Sequence, residues 1–130
     1  MIAIEKQLSI FLDNRPGMLA RLCQALAHEG INIVALSISD TVDHVVVRIV
    51  VTESQKAATI LQRLHAPVQE REVVVLDLPN QPGMLAKIAE QLAEAGINIE
   101  YAYCTSSSSQ QMGNMVLRTS DIEATINALS

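Results

Sequence analysis

The chain repeats itself. Residues Leu12 to Ile33 and Leu78 to Ile99, 66 positions apart, share 13 identities in 22 positions. Chance pairing at average composition gives about one or two. Both copies contain Asn-x-Pro-Gly-Met-Leu-Ala followed by Gly-Ile-Asn-Ile, and unmatched pairs are often conservative, as Arg21 with Lys87 and Leu22 with Ile88. Such a duplication limits the chain to folds that two copies of one small unit can build.

Each copy reads as strand, helix, strand, strand, helix. In the first, Leu8, Ile10 and Leu12 alternate with Ser9 and Phe11, which predicts a strand with one buried face. Pro16 is expected at the first helical position, where its missing N–H leaves no acceptor unsatisfied. Leu19, Leu22, Cys23 and Leu26 then form one apolar stripe, and Gly30 suits the C′ position with positive φ. Ile31 to Ile38 and His44 to Val51 are β-rich runs around a turn at Asp40 to Asp43. A capping box of Thr52 and Gln55 opens a second helix with a stripe of Ala57, Ile60, Leu61 and Leu64, which Pro67 stops.

The second copy follows the same plan. It has a strand at Val73 to Leu78, a helix presenting Leu85, Ile88, Ala89 and Leu92, strands at Ile97 to Cys104 and Asn114 to Thr119, and a capping box of Ser120 and Glu123. Two departures break the symmetry. The second hairpin carries a polar loop, Thr105 to Gly113, with serines at Ser106 to Ser109, a candidate lid. The second copy also has no residues for a strand after its last helix. Val68 to Leu78 is either one long strand serving both copies or a first-copy fourth strand reduced to a vestige.

This element order predicts an α+β fold of two ferredoxin-like modules, each an antiparallel sheet with its helices on one face. The expected modules are residues 1–71 and 72–130, the second lacking its last strand. A unit of about 65 residues buries only about 60% of its unfolded surface and is marginal alone. Fusion relieves part of that deficit, and dimerisation would cover outer sheet edges.

Composition excludes several classes of function. A net charge of −5 and three aromatic residues, Phe11, Tyr101 and Tyr103, argue against nucleic-acid binding, which needs a basic face and stacking platforms. No apolar run approaches the roughly 18 residues of a membrane span. Cys23 and Cys104 have no CxxC spacing, and nothing at the N-terminus reads as a signal peptide, so the expectation is a reduced, soluble, cytoplasmic protein. His28, His44 and His65 show no metal-ligand spacing, the carboxylates form no matched pair, and no glycine-rich phosphate loop is present. No enzyme activity, metal or cofactor is expected.

The strand-to-helix turns carry the candidate site. Asn14, Arg15, Gly17, Met18 and Leu19, with Asn80, Gln81, Gly83, Met84 and Leu85, surround helix mouths where glycine permits close approach and first-turn N–H groups lack acceptors. The positive end of the helix dipole suits a carboxylate there. Asn32 with Ile33, and Asn98 with Ile99, place an amide in an apolar strand start, where burial demands a partner. The plainer alternative is that Asn-x-Pro-Gly only starts a helix.

Asn14-Arg15-Pro16-Gly17-Met18-Leu19 with Gly30-Ile31-Asn32-Ile33, together with the second-copy counterpart, resembles the ACT domain over essentially the whole chain. The resemblance implies βαββαβ modules that bind a small amino acid between adjacent modules and regulate enzymes of amino-acid metabolism. It also implies ligand contacts from Asn14 and Asn32. Serine-binding members have a histidine two residues before the first asparagine. Here Leu12 and Leu78 stand there, which argues against serine. The expectation is a non-catalytic, homodimeric regulatory protein with a free amino acid as effector and an enzyme or regulator of amino-acid metabolism as partner. An inert dimerisation module is the alternative.

Overall fold

The computed structural model describes residues 2–105 and 109–130. Among these, the order is β1 (Ile2–Asp13), α1 (Met18–His28), β2 (Ile33–Asp40), β3 (His44–Val51) and α2 (Ser54–Arg63). Then come β4 (Val68–Pro79), α3 (Met84–Glu94), β5 (Ile99–Thr105), β6 (Met112–Thr119) and α4 (Ile122–Leu129). Two compact units result, one of Lys6–Arg71 and one of Met1–Glu5 with Glu72–Ser130. The architecture is α+β and ferredoxin-like, as the element order predicts.

In the unit Lys6–Arg71 the strand order is β2-β3-β1, followed by the first residues of β4. β1 and β3 are antiparallel, with Asp13 opposite His44 and Gln7 opposite Val50. Leu8, Ile10 and Leu12 of β1 join Val47, Ile49 and Val51 of β3, Leu22 and Leu26 of α1, and Ala57, Ile60 and Leu61 of α2 in one buried cluster. The period-2 pattern of the strands and the 3.6-residue stripes of the helices meet there. Gln7 and Ser9, on the other face of β1, are buried too, contrary to the single buried face expected. Their polar atoms are satisfied, in part because Gln7 Nε2 donates to Ser9 Oγ at 3.4 Å.

In the other unit the order is β5-β6-β4, with residues 2–5 of β1 beside β4. No strand follows α4 among the described residues, and residues 2–5 stand where the closing strand of a ferredoxin-like unit belongs. Ile2 packs against the cluster built by Val74, Leu76, Leu78, Ile88, Leu92, Met115 and Leu117. Val68–Pro79 is one continuous strand, which settles the choice left open by the sequence in favour of a single long element. The stripe on α3 is narrower than expected. Ile88 and Leu92 are buried, but Ala89 is exposed and Leu85 is 51% exposed.

Helix ends correct several expectations. Pro16 lies before α1, and the residue at the N-cap is Gly17 with φ +88, matched by Gly83 at φ +88 before α3. Glycine is therefore required by the left-handed backbone, not placed at a second helical position. At the C-termini the expected glycines hold. Gly30 N–H donates to Ala27 O at 3.0 Å and Ile31 N–H to Leu26 O at 3.0 Å, a Schellman arrangement repeated by Gly96 with Ala93 and Ile97 with Leu92. Neither capping box forms as expected. Glu53 precedes α2 without a side-chain cap, and Asp121 caps α4 by accepting from Ala124 N–H at 3.0 Å.

Candidate functional site

Asn14 directly follows β1 and ties the end of that strand to the hairpin opposite. Its N–H donates to Asp43 O at 3.0 Å and its Nδ2 to Thr41 O at 3.4 Å. Asn80 does the same in the other unit, with N–H to Gln111 O at 2.8 Å and Nδ2 to Gln110 O at 2.9 Å. The amide that the sequence marks as a ligand contact thus has a structural task in both copies. Asn80→Ala should cost about 1 kcal/mol, the net worth of an intramolecular hydrogen bond. Urea unfolding of the variant checks this.

Asn32 and Asn98 are exposed, not buried as expected. Their backbones make a reciprocal pair with the residue just after the second strand of the hairpin that follows, β3 or β6. Asn32 N–H donates to Thr52 Oγ1 at 3.2 Å while Thr52 N–H donates to Asn32 O at 3.1 Å. Asn98 and Ser120 repeat the exchange at 3.2 and 3.0 Å. This is where the two hydroxyls expected in capping boxes are used. Asn14 and Asn32 flank opposite ends of α1, whose 11 residues span about 16 Å at 1.5 Å per residue. Within one unit the two asparagines do not converge.

A cleft of about 640 Å³ does open at the mouth of α1 in the unit Lys6–Arg71. Leu12 and Leu22, both buried, and the half-buried Met18 and Leu64 form its apolar part. Asp13, Arg15, Arg21, His44 and His65, all exposed, supply its polar rim. Arg15 Nε lies 3.7 Å from Asp13 Oδ2, a solvent-screened pair. Arg21 makes no ion pair among the described residues. The α2–β4 loop closes one side, with Pro67 O accepting from Phe11 N–H at 3.1 Å.

Of the expected site residues, Arg15 and Met18 line this cleft, whereas Asn14, Gly17, Leu19, Asn32 and Ile33 do not. In the other unit a smaller cavity of about 110 Å³ includes Asn80, Gln81, Met84 and Leu85, while Gly83, Asn98 and Ile99 lie outside its lining. Sequence reasoning missed Asp13, Arg21, His44 and His65. Arg21 had a usable signal, since it follows Met18 by three positions and shares its helix face. His44 needed the strand register that sets it opposite Asp13, and His65 needed the loop geometry. His65 holds φ +59, a left-handed backbone in which histidine is tolerated better than most residues but still strained. His65→Gly should therefore raise stability by a few tenths to about 1 kcal/mol, checked by urea unfolding.

Among the described residues, no cluster of three or more His, Cys, Asp or Glu side chains is placed to hold a metal ion. Among the same described residues, no helix is long and apolar enough to cross a membrane. Cys104 is exposed and lines the smaller cavity, and Cys23 is half-buried on α1. The lid expected at Thr105 to Gly113 rests on Ser106, Ser107 and Ser108, which lie outside the described residues.

A family profile described as an ACT domain pair matches residues 2–129. Among solved structures, a protein from Bacteroides thetaiotaomicron is 37% identical, with a TM-score of 0.91 over 98% of this chain and 88% of that one. The ligand-free regulatory subunit of aspartate kinase from Thermus thermophilus is 19% identical, with a TM-score of 0.71 over 98% of this chain and 93% of its own. The corresponding subunit from Thermus flavus is 18% identical, with a TM-score of 0.67 and coverage of 98% and 94%. At those identities the two kinase subunits share the fold. A comparison with curated proteins finds no match.

Proposed function

The chain belongs to the family of ACT domain pairs, and from that premise we propose that it is a non-catalytic regulatory protein that binds a free amino acid. Each compact unit is read as one ACT module. The observation that carries the reading is the cleft at the mouth of α1, where Arg15 and Arg21 accompany Asp13 above apolar side chains. A zwitterion needs both signs of charge within a few ångströms, and guanidinium groups pair well with carboxylates. The cleft is open on its rim side, and a module of a second chain would close it, so that ligand and dimer favour one another. A homodimer in the cytoplasm, acting on an enzyme or regulator of amino-acid metabolism, completes the proposal. Its fold is shared by proteins named as regulatory subunits of aspartate kinase.

Isothermal titration of the full chain with each of the twenty amino acids tests it. Saturable heat is expected with at least one. At a free concentration 100 times its dissociation constant that ligand should add about 2.7 kcal/mol of stability, visible as a thermal shift. Silence from all twenty in both measurements would remove the proposal.

One observation favours a second reading, an interaction module without a small ligand. β2 is an edge strand, and its Val34 and Ile38 are 49% and 43% exposed. Unpaired edges with apolar side chains attract another strand. Under this reading sedimentation would show a dimer whose association no amino acid alters.

A further inference from the structure

Resting on the amino-acid reading above, we infer that each chain binds one ligand, in the unit Lys6–Arg71, and that this ligand carries a bulky apolar side chain. The duplicated motif alone predicts two equivalent sites, but the two clefts have diverged in size and in charge. The first holds about 640 Å³, inside the range of roughly 300–1,000 Å³ typical of small-molecule pockets. The second holds about 110 Å³, well below it.

Substitution at equivalent positions explains the difference in charge. Asp13 and Arg15 correspond to Pro79 and Gln81 at the 66-residue offset, so the acid and one base of the first rim are replaced by neutral residues. Arg21 corresponds to Lys87, which does not line the second cavity. Among the described residues, the lining of the second cavity contains no charged side chain. It therefore offers a zwitterion neither of the partners that the first provides.

Ligand class follows from the floor and the rim of the first cleft together. Asp13 and Arg21 answer the ammonium and the carboxylate. Leu12, Met18, Leu22 and Leu64 leave the side chain no hydrogen-bonding partner among them. A polar or ionised side chain would lose its hydration there without replacement. A glycine or alanine ligand would leave most of the volume to water. A branched or aromatic side chain fills it and removes apolar surface from water on both partners.

Calorimetry on the full chain tests the inference in three ways. Along the series glycine, alanine, 2-aminobutyrate and norvaline, affinity should rise about fourfold for each methylene, which is 0.8 kcal/mol converted at 1.4 kcal/mol per tenfold. Stoichiometry should be one ligand per chain. Arg21→Gln should weaken binding about 10- to 100-fold, as loss of a charge-assisted contact does, while Lys87→Gln changes nothing. A flat series, two equivalent sites per chain, or an Arg21→Gln variant that binds like the parent each overturns the inference. Binding by serine or glutamate in preference to norvaline overturns it while leaving the amino-acid reading intact. Absence of heat with every amino acid removes both.

Discussion

Gly17→Val and Gly83→Val should each lower stability by about 2 kcal/mol in urea unfolding, with the alanine variants close behind. Both glycines sit at φ +88, where an L-residue meets its own carbonyl and loses about 1–2 kcal/mol, more when β-branched. A Cβ built at either position meets nothing within 4 Å. The loss is thus a matter of backbone conformation and not of crowding, so alanine should already lose most of what valine loses. A ligand-access role for Gly17 predicts the reverse, with alanine tolerated and valine failing only in binding. Parallel urea and calorimetric titrations on Gly17→Ala separate the two. A fully stable alanine variant would show that the left-handed turn is not what glycine is for.

The reach of the sequence can be judged from the same region. The repeat exposes the module plan because identical strings at one offset are insensitive to tertiary context. Gly30 and Gly96 are readable as C′ residues because a Schellman turn is local, closed between residues five apart. Gly17 and Gly83 are readable as special, but their role is not, since a left-handed N-cap and a second helical position look alike in a string. Thr52 and Ser120 show the same limit. Their spacing to Gln55 and Glu123 fits a capping box, yet each hydroxyl is taken by a backbone N–H twenty or more residues away. Long-range pairing decided against a local motif.

The candidate site fared similarly. Arg15 and Met18 lie near the motif and do line the cleft, whereas Asn32 is carried to the far end of α1 by the helix itself. His44 arrives through strand register and His65 through a loop after α2, neither of which has a sequence signature. The N-terminal residues 2–5 belong to the unit that begins at Glu72, a topology that no pattern within either repeat announces.

Leu22→Ala and Leu26→Ala should both be costly, at about 2–5 kcal/mol each, because both side chains are 0% exposed and truncation leaves a cavity that the surrounding cluster fills only in part. They should part company in binding. Leu22 also forms the floor of the cleft, while Leu26, one helical turn further along α1, does not line it. At low temperature, where both variants remain folded, Leu22→Ala should bind a bulky apolar amino acid about tenfold more weakly, because the space left beneath the cleft removes the support of the lining side chains above it. Leu26→Ala, equally destabilised, should bind like the parent. The comparison cancels any general effect of a loosened core, because both substitutions remove the same atoms from the same helix and the same cluster. Matching affinities in the two variants would move the ligand away from the mouth of α1, and weakened binding in both would make the effect one of stability alone.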